Sequence, residues 1–113
     1  MAKPQYQRSS GNIYKDLGFP NSEEMQAKAD LASSILSIID KRKWTQQEAA
    51  EILKTTQSKV SLLARGQFSG FSVERLIKFL NRLNQDVEIV IRDRAFSKSH
   101  MGHVSVVHTS AHA

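Results

Sequence analysis

Gln57, Ser58, Ser61 and Arg65 recur at helical spacing near the middle of the chain, with Thr56 before them and Lys59 and Leu62 between them. Their chemistry is recognition rather than bond-making. A glutamine amide can form paired hydrogen bonds to adenine N6 and N7, a contact that discriminates by about 1–3 kcal/mol. Serine hydroxyls donate and accept less selectively, and cationic tips meet phosphates or outer bases. On a helix stepping about 100° per residue, Val60, Leu63 and Ala64 gather on one side, and Gln57, Ser58, Ser61, Leu62 and Arg65 on the other. Leu62 suits a thymine methyl group, or packing within a dimer or under the next loop. The plain alternative for Gln57 and Ser58 is an ordinary polar helix start.

Other chemistries find no constellation. His100, His103, His108 and His112 all lie in the last fourteen residues, with no cysteine or carboxylate in that stretch. A polar tail explains them better than a metal site. The chain has no cysteine at all, which excludes disulfides, thiolate ligands and cysteine nucleophiles. No nucleophile–base–orienter set or phosphate-cradling glycine loop is visible, so neither an enzyme nor a cofactor is expected. Trp44 and Phe79 read as packing residues, whereas Phe68 and Phe71, which bracket a loop, read as partly exposed.

The elements that must position the central residues follow from caps and periodicity. Asn21 with Glu24 resembles a capping box, and Met25, Ala29, Ala32, Leu36 and Ile39 then mark an amphipathic helix to about Lys41. Thr45 with Glu48 is a full capping box, with Trp44 and Ala49 at the hydrophobic-staple positions. The helix it opens ends near Leu53, and three residues later Thr56 can cap another through Ala64, closed by Gly66. Ser72 caps a fourth helix, in which Val73, Leu76, Ile77, Leu80 and Leu83 form a stripe, with Asn84 as its stop. From Asp86 to Asp93 the period becomes two, with Val87, Ile89 and Ile91 on one face. That predicts a β-strand over 85–93, and Val104 to Val107 a second short one. An edge strand with an apolar face is a template for a second chain, so Val87, Ile89 and Ile91 are the predicted dimerisation residues.

Two short helices joined by a tight turn describe a helix-turn-helix, and residues 44–66, WTQQEAAEILKTTQSKVSLLARG, resemble the Cro- and phage-repressor-like XRE family. The shared landmarks are Thr45-Gln46, Ala50, Leu53, Gln57-Ser58, Val60-Ser61 and Arg65-Gly66. Lys54 replaces a customary glycine and must adopt a left-handed or altered turn conformation, while Leu62 and Ala64 stand where a polar residue and a glutamate are common. Asp16 to Pro20, Met25, Lys28 and Leu31, Phe71 to Leu76, and Asp86 to Ile89 further resemble small HigA-like antitoxins, the resemblance spanning roughly residues 12–93. It implies a dimerising helical DNA-binding fold, and a cognate RNase-type toxin whose shared promoter the protein represses.

Charge agrees with a polyanionic partner. Of a formal net charge of +5, residues 41–83 hold nine basic and three acidic side chains, whereas residues 1–40 sum to −1 and residues 84–113 to zero. A segment facing nucleic acid carries such an excess. Gln46 and the opening amides of its helix suit a phosphate oxygen, with Lys43, Lys54 and Arg75 as further phosphate candidates. No apolar run exceeds three residues, too short for a membrane-spanning helix, and the first ten residues lack the apolar stretch of a secretory signal. A cytoplasmic protein is the expectation.

The sequence thus predicts a mainly α fold. An N-terminal arm occupies 1–20, a helical helix-turn-helix domain 21–84, a strand or short hairpin begins at 85–93, and a tail fills 94–113. The expected function is a sequence-specific repressor, working as a homodimer on an operator in double-stranded DNA and paired with a toxin. The rivals are a stand-alone regulator without a toxin and a helical protein–protein adaptor.

Overall fold

The computed structural model describes residues 22–109 of the 113, so the predicted N-terminal arm, the cap Asn21 and His112 lie outside the described residues. Among the described residues four helices follow one another: α1 Ser22–Arg42, α2 Gln46–Leu53, α3 Gln57–Ala64 and α4 Val73–Arg82. Helix α1 packs chiefly on α4, and α2 on α3. Between them Ile35, Leu53, Leu63, Leu76 and Val60 are shut off from solvent. Burying each such side chain contributes roughly 1.5–3 kcal/mol, so this cluster dominates the fixing of the helices.

The starts of the three short helices are as the sequence predicts. The Thr45 hydroxyl accepts from the Glu48 amide at 3.1 Å, and the Glu48 carboxylate accepts from the Thr45 amide at 2.8 Å. Thr56 and Ser72 accept from the amides of Lys59 and Arg75 at 3.2 and 3.0 Å. Each cap satisfies a helix amide that would otherwise have no partner. Helix α1 places Glu23 and Glu24 in its first turn and Lys41 and Arg42 in its last, matching the sign of the helix dipole at both ends.

The four described helices close by one device. Lys43, Lys54, Gly66 and Asn84 have positive φ of 58°, 58°, 78° and 62°. The following amides, of Trp44, Thr55, Gln67 and Gln85, reach back to the carbonyls of Ile39, Ala50, Leu62 and Leu80 at 2.9–3.2 Å. These are Schellman-type closures. Of the left-handed and altered turn conformations open to Lys54, it adopts the left-handed one, and Gly66 and Asn84 stop their helices where predicted.

Two expectations are corrected. No strand forms among the described residues; 85–93 and 104–107 are irregular. Alternation alone does not make a strand, because a ladder needs a partner backbone and a lone segment has none. Val87 and Val106 are half-buried against the core, whereas Ile89 and Ile91 are 78% and 93% exposed. Phe68 and Phe71, read as partly exposed, are buried. The Phe71 amide bonds the Phe68 carbonyl at 3.0 Å, and Phe71 meets Phe79 edge to face at 6.2 Å. The turn so formed folds both rings inward as a lid on the core.

Candidate nucleic-acid interface

The three residues between α2 and α3, with Lys54 left-handed, turn the chain so that α3 packs across α2. Ala49 and Ala50 are 0% and 2% exposed, and their small side chains let the helices approach. Beneath α3, Val60 and Leu63 are anchored in the core. Those two anchors fix the rotation of the helix about its axis, and so decide what it turns outward.

Thr56, Gln57 and Ser58, at the start of α3, are exposed, and so is Arg65 at its far end. Gln46 is exposed at the first position of α2. These five therefore stand on the accessible surface, with amide, hydroxyl and guanidinium groups available to a ligand. Ser61 is half-buried. Leu62 is also half-buried and packs against the core, so its packing role is realised and only its edge is presented. Helix α3 carries no acidic residue, so nothing on it repels a phosphate backbone.

The cations around α3 are held rather than loose. The Lys59 ammonium lies 5.7 Å from the Phe71 ring centroid, and the Arg75 guanidinium 5.4 Å from that of Phe79. Arg75 also donates to the Thr55 hydroxyl at 3.3 Å, tying the start of α4 to the turn before α3. Cations over aromatic faces gain about 0.5–1 kcal/mol at exposed sites. Resting on the ring also restricts each side chain before any ligand arrives, which lowers the cost of binding. Arg42 lies 5.9 Å from the half-buried Trp44 ring.

Sequence reasoning missed two of these supports. It named Arg75 as a phosphate candidate but not its bond to Thr55, which depends on a contact twenty residues away. It also did not foresee the burial of Lys28, whose ammonium lies 3.5 Å from Glu24 and donates to the Ser69 carbonyl at 3.5 Å. Its position three residues before Leu31, on the apolar stripe of α1, was the available signal. Among the described residues no group of His, Asp and Glu could hold a metal ion. No helix there is long and apolar enough to cross a membrane.

A family model described as a helix-turn-helix domain matches residues 13–92. Among solved structures, one described as an XRE family transcriptional regulator is 44% identical. The match covers 80% of this chain and 100% of that one, with a TM-score of 0.72. No curated protein matches.

Proposed function

The chain belongs to the helix-turn-helix domain family, as an XRE-type DNA-binding transcription regulator, and from that premise we propose that it is a sequence-specific repressor. It acts as a homodimer, with two copies of α3 entering successive major grooves about 34 Å apart on a two-fold symmetric operator. The observation that carries this reading is the division of α3. Val60 and Leu63 are buried while Gln57 and Ser58 stand exposed at its N-terminal end, the end that reaches base edges in this docking mode.

Each residue has a role in the reading. Gln57 takes an adenine edge, and Ser58 and Ser61 contact neighbouring bases. Thr56, Gln46, Lys59 and Arg65 engage phosphates or outer bases, and the presented edge of Leu62 meets a thymine methyl group. The dimer is held through Ile89 and Ile91, with Val87 as the point where each arm leaves its own core. Protection of a two-fold symmetric site in the DNA upstream of the gene, by footprinting, is the expected result. Failure to shift that DNA or any random-sequence pool favours the adaptor reading.

The same protein is proposed to be the antitoxin of a toxin–antitoxin pair in the cytoplasm, autoregulating its operon. Support comes from the resemblance of its flanking segments to HigA-like antitoxins. Co-purification of the product of the adjacent gene with the tagged chain tests it. An unrelated neighbour that does not bind leaves a stand-alone regulator.

A further inference from the structure

Residues 103–108 of the chain dock on helix α1. The Glu23 carboxylate takes both the His103 ring, Nδ1 to Oε2 at 2.7 Å, and the Val104 amide, at 3.2 Å to Oε1. Farther along the helix, the Ser34 hydroxyl meets His108 Nδ1 at 2.8 Å. Between the two anchors Val106 is half-buried against the core, while Val104 and Val107 face solvent.

The dimensions match. Eleven helical steps from Glu23 to Ser34 rise about 16 Å, and five extended steps from His103 to His108 span about the same. The segment thus lies alongside α1, running in the same direction. A carboxylate that holds both a backbone amide and a side chain at one end, a hydroxyl at the other and an apolar seat between them specify both sequence and direction.

We propose that in the dimer this site receives residues 103–108 of a second copy, so that the two chains exchange their C-terminal arms. The inference rests on the dimeric reading above. Three features support exchange. The connection from Asn84 to Gly102 contains no helix or strand, so it can be redirected without breaking a ladder or a helix. Its reach, at about 3.3 Å per residue, far exceeds the length of the site. Docking within one chain leaves Ile89, Ile91, Phe96 and Met101 78–93% exposed, whereas two crossing arms can cover them against each other. Exchange of an identical element reuses every contact already made and adds this burial, which is why it is a low-cost route to a dimer.

The absence of native cysteine makes a direct test available. Full-length chains carrying only Ser33→Cys and only Thr109→Cys, exposed positions beside the Ser34–His108 contact, are mixed, unfolded and refolded together, then treated with a bis-maleimide. The double variant S33C/T109C is treated in parallel at low concentration, and the unmodified chain is sedimented. Arm exchange predicts a covalent dimer containing one chain of each kind in the mixture. A sedimenting dimer whose double variant cross-links only within one chain overturns exchange and leaves the dimeric repressor standing. Absence of any cross-link overturns the docking site, and a monomer in sedimentation overturns exchange and dimer together.

Discussion

The Lys59 ammonium lies over the Phe71 ring, 5.7 Å from its centroid, and this pairing joins the candidate reading helix to the loop that follows it. Lys59→Ala is therefore expected to act twice. It should weaken binding to every DNA sequence and flatten the dependence of log K on log salt by about 0.9 for the phosphate released. It should also lower stability by about 0.5–1 kcal/mol, visible in denaturant melts. Lys59→Met, which keeps the apolar stem over the ring, should show the same change in salt slope with a smaller stability loss.

Lys54 offers a test of the turn. Its φ of 58° and ψ of 50° place a side chain where left-handed backbone costs roughly 1–2 kcal/mol. Glycine removes that strain but returns about 0.4–1 kcal/mol through its freer unfolded state. Lys54→Gly should thus raise stability by up to about 1.6 kcal/mol, while Lys54→Val should lower it. A denaturant midpoint that falls for both variants would show that the closure does not strain Lys54.

Ile89 is 78% exposed, so a charge there costs the folded monomer little. Ile89→Glu should leave the thermal midpoint of dilute protein nearly unchanged, shift sedimentation toward monomer, and weaken operator binding through loss of the paired half-site. An undiminished dimer would place the interface away from this arm.

The helices were legible because their caps and stripes are local. Thr45, Thr56 and Ser72 announce starts within four residues, and Val60 and Leu63 reveal the buried side of α3 from spacing alone. The exposed tips of Gln57 and Ser58 follow from the same spacing. What was not legible depends on partners distant in sequence. Alternation at Val87, Ile89 and Ile91 shows which residues share a face, but only a second backbone turns that face into a strand. Phe68 and Phe71 looked like loop residues, and their burial is decided by Phe79 and the Phe68–Phe71 turn. The bond from Arg75 to Thr55 and the seat of Val106 have no signature short of the folded chain.

The claim on which the account turns is that the exposed start of α3 reads bases. Gln57→Ala tests it most directly, with binding measured across a library of operators in which each base pair is varied singly. The account predicts loss of about 1–3 kcal/mol of discrimination at one base pair in each half-site, with non-specific affinity and the salt slope retained. An unchanged preference at every position would contradict it.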